Sequence, residues 1–152
     1  MIRKLAILVI VLGLVAIVIG GVFIAQGVAK NNLIVNRMKI EKVTLALDPN
    51  NPKELTQIKN ATDAQKAADT IASHRRSISP TYQDLLGSGR FDPTNPQHLT
   101  YAQAMNLENY LYMAVTAFGL IQVVTASGVF MVITGIAFGG TGLALLQLGK
   151  SA

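Results

Sequence analysis

Tyr110–Gly149 reads YLYMAVTAFGLIQVVTASGVFMVITGIAFGGTGLALLQLG, forty consecutive residues without an acidic or basic side chain. An uncharged apolar run has its lowest free energy in hydrocarbon, where a crossing helix needs ~20 residues. A second run, Leu5–Ala29, is equally free of charge. Together they predict a mainly α membrane protein: two transmembrane helices flanking a small, mostly helical aqueous domain with one short strand. The expected division is residues 1–4 as the N-terminus, 5–29 as the first transmembrane helix and 30–109 as the aqueous domain. Residues 110–149 then form a long apolar helix containing the second crossing, and 150–152 the tail.

Forty helical residues at ~1.5 Å each reach ~60 Å, twice the ~30 Å hydrocarbon thickness. A hairpin turning at Ala126-Ser127-Gly128 would leave only ~16 residues before the turn, short for a crossing, and no Pro or Asn marks it. One long helix is therefore expected, opened by the capping box Thr100-Tyr101-Ala102-Gln103. On this reading it enters the bilayer near Met113 and lays its surplus apolar surface on a partner.

The charged residues sharpen the division. All eight acids and ten of the thirteen basic residues lie between Lys30 and Asn109, so that segment carries a net +2, too balanced to suggest nucleic acid. Arg3, Lys4 and Lys150 are the only charges outside it and suit helix ends near anionic headgroups. The absence of cysteine excludes disulfides, thiolate catalysis, cysteine-ligated zinc, iron–sulfur clusters and c-type haem attachment. With His74 and His98 as the only imidazoles, an iron or zinc site would need both plus carboxylates; no metal or cofactor is expected.

The first run is expected to be a retained anchor, because 25 apolar residues exceed the about 7–15 of a signal-peptide core. Gly13, Ala16 and Gly20 share one helical face, and Gly21 with Ala25 forms another small pair, which allows a second helix to approach closely. Gly135 and Gly139 form a GxxxG pair in the second run. These five, Gly13, Ala16, Gly20, Gly135 and Gly139, are the predicted helix-packing positions. Lys150 beyond the second run, with no Lys or Arg over 96–109, favours a cytoplasmic C-terminus. The predicted location is the plasma membrane, multi-pass, both termini cytoplasmic.

Between the runs, Met38, Ile40, Val43, Leu45 and Leu47 approach period two with a slip at Glu41 and Lys42. This fits a strand over Lys42–Leu47, or an extension of the first helix through Met38 followed by an extended piece. The pattern D-P-x-N-P-x-x-L-T occurs at Asp48–Thr56 and again at Asp92–Thr100, six of nine residues being identical. Physically it is a turn feeding a helix, with Asn51 or Asn95 as N-cap and Pro52 or Pro96 in the first helical position. Thr62-Asp63-Ala64-Gln65 reads as a capping box opening a helix whose Ala64, Ala67, Ala68, Ile71 and Ala72 make a small, flat packing face. That helix is expected to end near His74-Arg75-Arg76, cations on its C-terminal dipole. Asn60-Ala61-Thr62 has the form of a glycosylation sequon. Ser79–Leu86 reads as a short capped helix stopped by Gly87, with Tyr82, Leu85, Leu86, Phe91 and Leu99 as a small core.

The pattern as a whole resembles a group of small bacterial two-transmembrane-helix proteins of unknown function. The resembling pieces are Ile40-Glu41-Lys42-Val43-Thr44, the Ala-rich helix closing at His74, Thr81-Tyr82-Gln83-Asp84-Leu85, Asp92-Pro93 and Ala117-Phe118-Gly119. Members of that group sometimes carry an aromatic ring-opening dioxygenase label. An iron enzyme of that kind needs two His and a carboxylate on the metal, and neither His74 nor His98 sits in such a motif.

Neither run contains the ionisable groups on which proton relays and coupled transport depend. The expected function is a non-enzymatic structural or accessory subunit, packed through its helices into a homo-oligomer or with other membrane-protein subunits, its partners including the lipid bilayer. The alternative is a ligand-binding protein or enzyme working through His74, Arg75, Arg76, Tyr82, Asp84 and His98. A third possibility is an oligomeric pore lined by Thr and Gln of the second run.

Overall fold

The computed structural model describes residues 2–46 and 55–151. In chain order its elements are α1 (Ile2–Ile40), β1 (Thr44–Ala46), β2 (Leu55–Gln57), α2 (Ala61–Ile78), α3 (Tyr82–Leu86) and α4 (Pro96–Ser151). The chain is mainly helical, and α1 and α4 are each long and apolar enough to cross a membrane. It forms two compact units: Met1–Asn32 with Leu120–Ala152, and Leu33–Gly119. The long uncharged stretch is one unbroken helix, not a hairpin, and α4 runs for 56 residues.

The first unit pairs α1 and α4 antiparallel through residues seven apart. On α1 the buried positions are Ala6, Gly13, Gly20 and Gly27; on α4 they are Gly128, Gly135 and Gly142. A Cβ built on Gly13 would lie 2.7 Å from the Gly135 carbonyl oxygen, and one on Gly20 would lie 2.6 Å from that of Gly128. The converse distances are 2.5 Å from Gly135 to the Gly13 oxygen and 2.7 Å from Gly128 to the Gly20 oxygen. Backbone therefore meets backbone, and only glycine permits it. Beside each contact a large side chain of one helix fills the hole left by a glycine of the other. Ile17 and Ile24 abut Gly135 and Gly128, while Val132 abuts Gly20. The strict seven-residue period is the one that left-handed supercoiling keeps in register.

The second unit takes up the ends of both long helices. Ile34, Val35 and Met38 on the last turns of α1 pack against a core of Ile58, Ala64, Ala67, Ala68, Leu111, Ala114 and Phe118. The alanine face of α2 thus meets α4 closely, its Cβ groups being too short to hold the backbones apart. Leu111, Ala114 and Phe118 belong to the long apolar run 110–149, and they close this core. The expected small core around Tyr82, Leu85, Leu86, Phe91 and Leu99 does not form: Tyr82 is 40% and Leu99 43% exposed. Tyr82, Leu85 and Leu86 sit on a five-residue helix, Phe91 in the segment after it and Leu99 in the first turn of α4, which offer too little surface to cover one another.

Local chemistry sets the boundaries. α1 continues to Ile40 and ends with Lys42 at φ 52°. The Val43 amide donates to the Met38 carbonyl at 2.9 Å and the Lys42 amide to that of Lys39 at 3.1 Å, a Schellman closure with lysine where glycine is usual. This closure is the slip at Glu41 and Lys42 in the period-two pattern. Beyond it, β1 and β2 pair antiparallel, three residues a side, Leu45 opposite Thr56; Leu47 and the first proline turn, with Asn51 and Pro52, lie outside the described residues. α2 opens two residues before the expected box: Asn60 Oδ1 accepts from the Asp63 amide at 2.9 Å and Asp63 Oδ2 from that of Lys59 at 3.1 Å. α4 opens at the second proline turn, where Asn95 Oδ1 accepts from the Gln97 amide at 2.9 Å and Pro96 takes the first helical position. The capping box expected at Thr100 is therefore interior to the helix, its hydroxyl bonded back to the Pro96 carbonyl at 2.8 Å.

The seam distinguishes glycines that look alike in sequence. A Cβ on Gly135 meets backbone, whereas one on Gly139 meets nothing within 4 Å. Gly135→Ala is expected to destabilise the helix pair by about 1–3 kcal/mol through overpacking, while Gly139→Ala stabilises it by up to about 1 kcal/mol through helix propensity. Thermal unfolding of the two variants in detergent, followed by circular dichroism, measures the difference.

Candidate functional site

The polar residues singled out from the sequence lie in the second unit, and the structure gives each a distinct role. Arg75 stands in the last turn of α2. Its Nε donates to Glu108 Oε2 at 2.7 Å and its Nη2 reaches Oε1 at 3.4 Å. Nη1 donates to the Tyr101 hydroxyl, and the guanidinium carbon lies 5.0 Å from the Tyr101 ring centroid. The two charged side chains are 12% and 10% exposed, and Tyr101 is fully buried.

Tyr101 and Glu108 were not among the expected site residues. They stand seven apart on α4, two turns on one face, so a single side chain from α2 reaches both. The Glu108 carboxylate, by hydrogen bond and by charge, raises the Arg75 guanidinium above its already high pKa, against the opposing pull of burial. Tyr82 adds its ring at 6.2 Å from that of Tyr101. Among the described residues no buried side-chain nitrogen or oxygen lacks a hydrogen-bond partner. The cluster is a clasp joining α2 to α4, its carboxylate paired with the guanidinium and its tyrosine hydroxyl accepting from it.

The other four candidates serve local structure or face solvent. Asp84 completes the cap of α3: Thr81 Oγ1 accepts from its amide at 3.1 Å and donates to Oδ2 at 2.7 Å. His98 uses Nδ1 to accept from the Asp92 amide at 3.0 Å and stacks on Phe91 at 5.7 Å between centroids. His74 and Arg76 are exposed. In the same turn Asp92 accepts from the Thr94 hydroxyl at 2.6 Å and the Thr94 amide at 2.8 Å, which hold its carboxyl below the usual range. Among the described residues no group of three or more His, Asp or Glu side chains converges as a metal site would require.

The helix-packing candidates lie in the first unit. Gly13, Gly20 and Gly135 are buried in the seam, Ala16 is half-buried beside it, and Gly139 directs its Cβ position into open space. Gly27, Gly128 and Gly142 complete the seam and were missed. Their signal was the seven-residue spacing, which a search for glycines four apart passes over.

Removing one partner of the clasp leaves the other charge buried and alone, a loss of about 3–5 kcal/mol. Arg75→Met is expected to lower the unfolding midpoint of the second unit sharply, and Arg75→Met with Glu108→Leu to recover most of it. Hydrogen exchange at the α2 amides in the two variants checks this. Compared with known proteins, the chain matches no family model, no curated protein and no solved structure.

Proposed function

We propose that this chain is an integral protein of the plasma membrane, with α1 and α4 crossing the bilayer as an antiparallel pair. It acts as a non-enzymatic structural or accessory subunit. The observation carrying this reading is what the helix pair leaves outside. With glycines inside, the large aliphatic and aromatic side chains point outward: Val18 is 66% and Phe130 69% exposed, and Leu5, Leu12, Val123 and Ile133 are also exposed. Water would penalise that surface at about 25 cal/mol per Å², and hydrocarbon does not. Gly149 lies beside Ile2, a Cβ on it coming 3.5 Å from the Ile2 side chain, which supports termini on one side. Arg3, Lys4 and Lys150 at that end favour the cytoplasm.

Assembly with further helices is supported by α4 itself. Ala137, Gly140, Thr141 and Ala144 are exposed and spaced along the side of the helix turned away from the seam, where small residues permit a close neighbour. The partner is a second copy or another membrane subunit, in keeping with the resemblance to two-helix membrane proteins. The closed state of the Arg75 clasp favours this over an enzyme.

The chain has no cysteine, so single cysteines report topology directly. Arg3→Cys is expected to resist, and Ser73→Cys to accept, a membrane-impermeant maleimide applied to intact cells; the reverse pattern overturns the orientation. Recovery of the protein in the alkali-soluble fraction overturns membrane insertion. In native mass spectrometry from detergent, Gly140→Leu is expected to reduce assembly, and a wild-type protein that stays monomeric with no copurifying subunit rejects the subunit reading.

A further inference from the structure

Within the first unit, the alternation of glycine and large side chain stops at one level. Gly128, Gly135 and Gly142 recur every seven residues on α4, but the next position in that series is Ile121. Opposite it stands Gly27, whose Cβ position lies 3.7 Å from the Ile121 carbonyl oxygen and against the Thr125 hydroxyl. At this level the Thr125 hydroxyl fills the Gly27 position, and the approach to the facing carbonyl lengthens to 3.7 Å from the 2.7 and 2.6 Å seen at Gly13 and Gly20. Beside it lies a cleft of about 240 Å³ bounded by Gln26, Gly27, Lys30, Leu120, Ile121 and Val124.

The cleft is apolar within, and polar groups stand only at its rim. Leu120, Ile121 and Val124 line it with hydrocarbon, and Gln26 and Lys30 supply its polar edge. Lys30 is the only charged residue of α1 between Lys4 and Arg37. It is exposed and, among the described residues, makes no salt bridge. A single cation and an amide at the end of an uncharged helix, beside an apolar slot, match the polarity of one molecule class: an anionic glycerophospholipid. We propose that this cleft binds one such lipid, its phosphate on Lys30 with Gln26 as a second donor and an acyl chain along Leu120, Ile121 and Val124. The site rests on the membrane reading given above and adds to it a specific ligand class.

The test is native mass spectrometry of the full chain released from detergent micelles containing phosphatidylglycerol, phosphatidylcholine, or inorganic phosphate without anionic lipid. One phosphatidylglycerol per chain is expected to remain bound, about fivefold more than phosphatidylcholine, the ratio that one lysine contributes at a membrane surface. Lys30→Gln removes the preference, Lys30→Arg keeps it, and Val124→Phe lowers retention of both lipids by filling the slot. Equal retention of the two lipids, an unchanged preference in Lys30→Gln, or a lipid-free dimer overturns the site. Competition by inorganic phosphate as effective as that by the lipid shows a bare anion site and also overturns it. A protein that fails here yet stays with the alkali-washed membranes leaves the membrane reading standing, whereas one found in the soluble fraction removes that reading as well.

Discussion

Backbone contact at Gly13 with Gly135 and at Gly20 with Gly128 is the constraint on which the first unit depends. Carbonyl oxygens stand where Cβ atoms would otherwise be, so the helices meet at the shortest separation open to them. Once the interior is built from glycine, no large side chain is consumed there. Every leucine, valine and phenylalanine not serving as a knob must face out. The same choice that packs the pair produces the apolar exterior, and that exterior is what supports the proposed membrane placement.

The second unit solves a different problem with similar means. Its core is small, with Ile58, Leu111 and Phe118 as the large members and three alanines of α2 between them. Such a core supplies modest transfer energy, and a domain of this size stands near the limit of independent stability. The Arg75–Glu108 pair adds definition: a guanidinium held by two carboxylate oxygens and a buried tyrosine accepts one arrangement of α2 on α4. Ion pairs of this kind contribute little net stability relative to apolar replacements, yet strongly penalise any state that separates them.

Much of this was legible in the residues, and the remainder failed for identifiable reasons. Uncharged length announced α1 and α4, because charge exclusion is local. Asn95-Pro96 was legible as a turn feeding a helix, but the long helix was expected to open at Thr100, since two capping signals stood close together and nothing local ranked them. Gly13, Gly20 and Gly135 were visible as small positions, but Gly139 was indistinguishable from them until a partner helix chose between spacings of four and seven. Hydropathy assigned Ala114 and Phe118 to lipid because it registers removal from water without saying what replaces the water; α2 replaces it. The surplus length that suggested an external partner is in part spent there. Tyr101 and Glu108 carried no local mark, since the arginine that gives them meaning lies 33 residues from Glu108 in the chain.

The register of the glycine seam also restricts how this chain can change in length. A helix turns by about 100° with each residue, so inserting or deleting one residue within either helix swings every glycine beyond that point off the line of contact. An addition of four residues returns only part of the way and unwinds the pair locally, as stutters do in coiled coils. Length variation in this region is therefore confined to whole blocks of seven, made in both helices together. Homologous chains, where they differ in helix length, should differ by that quantum, with the glycines carried along unchanged.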